Sequence, residues 1–99
     1  MSEWIGFLHA PREDFAETMT PEEQAAFAAH AQRLARLLEE GTLILAGPTL
    51  GRVNTGIAVF EAPDEAAAQR ILDEDPVIVA GICRGELRPF RASFLRGRA

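Results

Sequence analysis

The feature that most constrains the fold is one long stretch bounded by a complete helix start and a helix stop. Thr20-Pro21-Glu22-Glu23 combines a hydroxyl cap, a proline at the first helical position and a glutamate placed to complete a capping box. Gly41 can take the left-handed conformation that closes a helix. We therefore expect a helix from near Pro21 to near Glu40, in the first half of a chain of 99 residues.

This helix has one apolar stripe. At about 100° per residue, the stripe consists of Phe27, Ala31, Leu34 and Leu38, with Leu37 and His30 on its flank. His30 is thus expected at the edge of the core, whereas Arg33 and Arg36 are expected to point away from it. Most histidines on apolar helix faces are structural, so a hydrogen-bonded structural role for His30 stays open.

Short apolar runs predict the strands. We expect strands over residues 4–8, 43–46 and 57–61, and a long final strand over 82–87 and 90–95. Gly47-Pro48 is expected to interrupt the second strand, and Gly85 or Pro89 the last. Residues 51–56 supply a turn, so strands two and three are antiparallel.

The remaining segments read as connections and one more helix. Residues 10–19 form a connection longer than usual, typical of a lid or rim. Pro63-Asp64-Glu65 opens a second helix, and Pro76 makes Asp75 its expected end. Residues 76–81 are expected to form a short turn.

The order of elements is β-α-β-β-α-β, which predicts an α+β, ferredoxin-like sandwich in one domain over residues 1–99. Both helices would cover one face of a four-stranded antiparallel sheet. The other face would expose Phe7, Val59 and other apolar side chains. Pairing with a second sheet would cover this patch, so we expect a homodimer through the sheet faces.

Composition excludes several classes of partner. The net charge of −5 argues against binding nucleic acid. Residues 84–99 carry +4 and the remainder −9, so two unlike surfaces could meet across a dimer, or the basic tail could simply be solvated. No apolar run approaches a membrane span and no signal peptide is recognisable, so we expect no membrane association and a cytoplasmic location.

No cofactor or metal is expected. Cys83 is the single cysteine, so it cannot form an internal disulfide, and it is interpreted as a small strand residue. The two histidines lack a zinc-binding spacing, and neither a phosphate loop nor a cofactor fingerprint is found. The expected ligand is a small-molecule substrate.

The sequence offers one candidate acid–base pair. His30 is an imidazole facing the predicted sheet, and Asp75 is a distant carboxylate able to orient it, although Asp75 could equally cap the turn after it. His9 could reach the mouth of the same pocket or lie in solvent. Gly47-Pro48 could bend the strand and shape the pocket wall.

Two arginines have an open role. Arg52 and Arg84 suit a substrate carboxylate, because a guanidinium fork matches that group. Exposed ion pairs explain them equally well.

The chain resembles the YciI-like (YCII-related) proteins of the dimeric α/β-barrel superfamily over nearly its whole length. The matching residues are His30, Glu40-Gly41-Thr42-Leu43, Ala46-Gly47-Pro48, Asp73-Glu74-Asp75-Pro76 with Ala80-Gly81, and Arg88-Pro89-Phe90. In that family the helix-one histidine and the aspartate before proline are the proposed catalytic pair. The resemblance therefore assigns this role to His30 and Asp75.

The resemblance also implies a chemistry. Family relatives act on small aromatic or lactone-like rings without a cofactor; one eliminates chloride from a chlorinated hydroxyquinol, and the related muconolactone isomerases shift a double bond. A lyase or isomerase is implied, in which neutral His30 removes a proton while ionised Asp75 stabilises the imidazolium. The alternative is a non-catalytic dimeric module that binds a small molecule or a partner.

Overall fold

The sheet is built around its first strand. The structure, a computed structural model, describes residues 1–97. Along strand β1 (Ser2–His9), buried and less buried residues alternate from Glu3 onward, because successive side chains point to opposite faces of the sheet. Its buried residues Trp4, Gly6 and Leu8 face the helices, and the half-buried residues between them lie on the other face, which we call the open face.

Three further strands complete an antiparallel sheet. They are β2 (Leu43–Pro48), β3 (Thr55–Ala62) and β4 (Arg84–Phe90), and the spatial order is β2-β3-β1-β4. This order, with helices packed against one face, is the ferredoxin-like arrangement that the sequence predicts. The predicted fold class is therefore confirmed.

The long helix begins as its sequence predicts. Helix α2 spans Pro21–Glu39 and opens with a complete capping box. The Glu23 backbone N–H donates to the Thr20 hydroxyl over 3.2 Å, and the Thr20 N–H donates to the Glu23 carboxylate over 2.8 Å. Gly41 has φ of +86°, the left-handed conformation expected after the helix.

Two short helices replace predicted irregular segments. Helix α1 (Phe15–Thr18) lies within the connection predicted over residues 10–19, and helix α4 (Pro76–Val79) replaces the predicted turn. Helix α3 (Glu65–Asp73) is capped by Asp64, as expected. Asp75 follows α3 and caps α4, since its carboxylate accepts a hydrogen bond from the Val77 N–H at 3.0 Å.

The strands differ from the prediction at their prolines. Strand β2 runs through Gly47-Pro48 without interruption, and its irregularity lies between Leu43 and Leu45 instead. Strand β4 likewise continues through Pro89, and the predicted strand over 90–95 is wrong beyond Phe90. Both β2 and β4 are edge strands, where a missing N–H breaks no central ladder. Cys83 precedes β4 rather than lying in it.

One helix residue points opposite to the expectation. The side chain of Arg33 is only 14% exposed, because its guanidinium turns inward to the Ile71 carbonyl near the end of α3 and to Asp75 after it. Leu34 and Leu37 pack on the core as the apolar stripe requires, whereas Leu38 is 56% exposed.

Helices α3 and α4 sit directly on strand backbone. A Cβ placed at Gly85 would lie 3.1 Å from the Ile78 side chain and 3.3 Å from the Leu72 side chain. A Cβ at Gly6 would lie 3.3 Å from Leu72. These contacts are tighter than ordinary packing, so the absence of a side chain at Gly85 lets α4 approach the sheet.

The open face is apolar at its centre. Ile5 and Phe7 are half-buried there, Phe90 is 42% exposed, and Val59 is buried beside the segment of residues 90–95. Arg98, part of the predicted basic tail, lies outside the described residues. None of the helices within residues 1–97 is long and apolar enough to cross a membrane.

Candidate active site

A cavity lies between the sheet and the first half of α2. Its volume is about 380 Å³, near the small end of the range for small-molecule sites. Phe27, His30 and Leu34 line it from α2, Phe15 lines it from α1, and β2 and β3 form the opposite wall. The wall is largely apolar, so the cavity suits a compact organic molecule.

The structure brings His30 and Asp75 together. His30 Nδ1 lies 2.7 Å from Asp75 Oδ2, although 45 residues separate them in the chain. Because an ionised carboxylate can only accept a hydrogen bond, Nδ1 carries the proton. In the neutral imidazole Nε2 is therefore unprotonated, and no described residue occupies it.

Asp75 is held in place by more than the imidazole. The residue is 4% exposed, and its second oxygen accepts the Val77 N–H. Arg33 Nη1 lies 3.7 Å from Oδ2, while Arg33 Nη2 donates to the Ile71 carbonyl over 2.8 Å. The carboxylate is thus fixed by a helix start, a guanidinium and the imidazole, which sets the orientation of His30.

Aromatic rings pack around the imidazole. Phe27 meets His30 edge-on with centroids 5.4 Å apart, and Phe15 lies 5.4 Å from Phe27. Such contacts restrict the imidazole to one orientation. His30 is consequently presented to the cavity by packing on one side and by the Asp75 hydrogen bond on the other.

Cys83 also lines the cavity, but its thiol is inert. Burial, followed by the negative charges of Asp75 and Glu23, raises the pKa of Cys83 to about 11. The sulfur therefore stays protonated at neutral pH, and a thiol in that state is a poor nucleophile.

Residues 10–19, which contribute Phe15 to the cavity wall and are called the lid below, are hydrogen-bonded to the start of α2. Arg12 donates to both carboxylate oxygens of Glu23, at 2.9 and 2.8 Å, and to the Thr18 carbonyl at 2.6 Å. Its guanidinium also lies 5.0 Å from the centroid of Phe15. The Arg12 hydrogen bonds and the Thr20 N–H together lower the pKa of Glu23 to about 2.

A second loop clasps the lid from the other side. Asn54 Oδ1 accepts the Ala16 N–H at 3.1 Å, and its Nδ2 donates to the Thr49 and Gly51 carbonyls. The Asp14 N–H adds a bond of 2.7 Å to the Arg52 carbonyl. We call residues 10–20 and 49–54 the clasp. The sequence analysis missed Asn54, whose turn-forming residue type was its only signal.

The other predicted site residues divide between the two faces. Gly47 and Pro48 line the cavity. His9 does not, because alternation along β1 turns it to the open face, where its Nε2 lies 2.9 Å from Glu86 Oε1 and its ring stacks on Phe7. Within residues 1–97, no group of three or more metal-ligating side chains is arranged to hold an ion.

Fold and site together define a class of protein: a ferredoxin-like domain with an apolar cavity and a buried carboxylate–imidazole pair at its wall. The YCII-related domain family matches residues 6–91, and the chain belongs to that family. The expected resemblance is thereby confirmed. No curated protein matches the chain.

The chain is similar to solved structures, one of which is an enzyme. It is 5-chloro-2-hydroxyhydroquinone dehydrochlorinase (TftG) from Burkholderia phenoliruptrix AC1100, in complex with 2,5-dihydroxybenzoquinone. The TM-score is 0.56 and the identity 18%, over 88% of this chain and 93% of the other. At this identity the similarity shows a common fold.

Proposed function

We propose that this protein is a cofactor-independent lyase or isomerase that transfers a proton on a small ring-containing or lactone-like substrate. The observation that carries the proposal is the 2.7 Å contact between His30 Nδ1 and the buried carboxylate of Asp75, with His30 at the cavity wall. With Nδ1 engaged by Asp75, Nε2 of the neutral imidazole is the nitrogen left to act as a general base towards a ligand in the cavity.

The chemistry follows from this geometry. Nε2 of His30 takes a proton from a carbon or hydroxyl of the substrate, and Asp75 stabilises the imidazolium that forms. In an elimination, the electron pair left on the substrate forms a double bond and expels a leaving group on the neighbouring carbon. In an isomerisation, the imidazolium returns the proton to a different carbon. Gly47 and Pro48 would form the wall against the ring.

The comparisons support this reading. The chain belongs to the YCII-related family, and the dehydrochlorinase that shares its fold is a lyase bound to a quinone. The elimination catalysed by that enzyme is one of the two reaction types proposed here.

The test is a comparison of histidine variants. Turnover would be assayed with chlorinated hydroxyquinols, by chloride release, and with unsaturated lactones, by absorbance. We expect His30→Asn to lose about 10²–10⁴ in rate, while His9→Asn, the matched control on the open face, keeps the wild-type rate. A His30→Asn variant with the wild-type rate would overturn the proposal. If the wild-type protein bound these compounds without converting any of them, the non-catalytic module would be favoured.

We also propose the homodimer through the open face. Ile5 and Phe7 lie there with Phe90, and such an apolar sheet face is normally covered. Sedimentation of the wild type should give a dimer and that of Phe7→Arg a monomer; a dimeric Phe7→Arg variant would contradict this interface. The single domain over residues 1–99 and the cytoplasmic location stay predictions.

A further inference from the structure

The cavity wall has very few polar side chains. Among the residues described, four lining side chains can donate a hydrogen bond: His30, Thr49, Asn54 and Cys83. The remaining lining residues are aliphatic, aromatic, methionine, glycine or proline, and the described wall contains neither an arginine nor a carboxylate. A ligand therefore meets almost entirely apolar surface.

Two of these four side chains are already engaged within the clasp. The Thr49 hydroxyl donates to the Val53 carbonyl at 3.2 Å and accepts the Thr55 N–H at 2.9 Å. Asn54 uses both its oxygen and its nitrogen to join the two loops. Since the Cys83 thiol is only a weak donor, Nε2 of His30 is the strong hydrogen-bonding group left for a ligand.

The arginines around the site are engaged as well. Arg33 lies behind Asp75, Arg12 is bidentate to Glu23, and Arg52 pairs with Glu13. Each positive charge is matched by a carboxylate outside the cavity wall. A ligand carboxylate inside the cavity would find no arginine in the described wall to pair with, and burying an unpaired carboxylate is strongly unfavourable.

We propose that the cavity binds an uncharged ring compound which donates one hydroxyl group to Nε2 of His30, and that it rejects ring carboxylates. This inference rests on the proposed role of His30 as proton acceptor and specifies the substrate class of that site. It separates neutral phenols and enols from the lactone and ring acids that the same proton chemistry would also serve.

Three simple probes test the inference: phenol, anisole and benzoate. Phenol carries the donor, anisole lacks it, and benzoate replaces it with a charge. Binding would be followed by amide chemical shifts of the cavity residues at pH 8, where a phenol is uncharged and a carboxylic acid is ionised. We expect phenol to bind several-fold more tightly than anisole and at least tenfold more tightly than benzoate.

A variant of the wall sharpens the test. Ala46 lies on β2 at the cavity and is exposed, so Ala46→Lys adds a cation without removing any core side chain. We expect this variant to bind benzoate at least tenfold better than the wild type does, whereas the uncharged control Ala46→Gln should not. Circular dichroism would verify that both variants fold.

The outcomes separate this inference from the proposed function. If wild-type protein binds benzoate as tightly as phenol, or if no probe shifts the cavity residues, the substrate class is wrong. The His30→Asn assay would still decide the proton chemistry. If instead phenol is preferred but His30→Asn retains full turnover, the proposed function fails while the cavity's selectivity stands.

Discussion

The molecule contains two histidine–carboxylate pairs of nearly equal geometry on opposite faces of one sheet. His30 and Asp75 approach to 2.7 Å on the helical face, and His9 and Glu86 to 2.9 Å on the open face. Their exposures differ sharply: 15% and 5% for the first pair of side chains, against 29% and 41% for the second. A short contact alone therefore does not define a site.

Their surroundings account for the difference. Asp75 is anchored by the start of α4 and by Arg33, and its imidazole faces the cavity. Glu86 lies near solvent, where the hydrogen bond from His9 is the main cause that lowers its pKa, with smaller effects from Arg88 and Arg84. Interactions in a low-dielectric interior are stronger and are screened less by salt. Burial beside an apolar cavity is what suits the first pair to the proposed proton transfer.

The largest expected effect comes from breaking the buried pair. Asp75→Ala removes the partner of His30 and the cap of α4, and should lower the free energy of unfolding by about 3–5 kcal/mol, as for other buried pairs that lose one member. Glu86→Ala should leave it nearly unchanged, because an exposed pair contributes little. Urea unfolding of both variants measures this. Equal losses in the two variants would mean that the pairs are energetically alike.

A smaller effect is expected at the thiol beside the buried pair. As the pH is raised, the thiolate absorbance of Cys83 at 240 nm should increase with a midpoint near pH 11, instead of at the ordinary thiol pKa of 9.0. Since the folded pKa is raised, this group's contribution to stability is complete below pH 9 and is lost as the pH rises towards 11. Asp75→Asn should lower the midpoint, whereas Glu86→Gln should not.

Circular dichroism at each pH of that titration would show whether the protein is still folded. A midpoint near 9 in folded wild-type protein would contradict the burial of this thiol, and with it the dry character of the cavity wall.

The stability that the Arg12–Glu23 pair of the clasp provides should fall at acidic pH. The pKa of Glu23 is lowered from 4.5 to about 2, so the stability it provides is complete above pH 4.5 and is lost as the pH falls to 2. Glu23→Gln should be less stable than the wild type at pH 6, and the two should converge near pH 2. Urea midpoints over this range test the prediction; a constant difference between the proteins would mean that the Arg12–Glu23 pair does not titrate as described.

The smallest effect is expected at the exposed pair. Salt of 1 M shortens the screening length to about 3 Å, so the carboxyl of Glu86 should titrate closer to 4.5 than it does at low salt. Carboxyl carbon NMR shifts would follow this titration, with Glu23 in the same spectrum as an internal comparison. A Glu86 midpoint insensitive to salt would show that this pair is shielded, for example by a partner subunit on the open face.

The sequence predicts local features better than contacts between distant segments. The start of α2 and the Asp64 cap depend on residues a few positions apart, and both are confirmed. The inward turn of Arg33 depends on Ile71, far along the chain, and no local pattern reports it. His30 and Asp75 were paired by family resemblance, because helical periodicity places each residue on a face but not beside a partner 45 residues away.

The clasp and the short helices escaped prediction for the same reason. Asn54 joins Ala16 across 38 residues, and α1 has too few residues to produce a periodic signal. The sequence leaves His9 open between the pocket mouth and solvent, because the alternation of β1 does not show which of its faces meets the helices. Burial of Trp4, Gly6 and Leu8 on the helical side places His9 on the open face.

The bare backbone at Gly85 makes the acid–base distance vulnerable to a change far from the cavity. Adding one methyl group there would press on Ile78 of α4, the residue directly after Val77, whose backbone N–H holds the Asp75 carboxylate. Because Gly85 of β4 has no Cβ, α4 can approach the sheet, and this approach helps to set the distance between His30 and the Asp75 carboxylate. Gly85→Ala would therefore alter the geometry of the proposed proton transfer without changing any residue that lines the cavity.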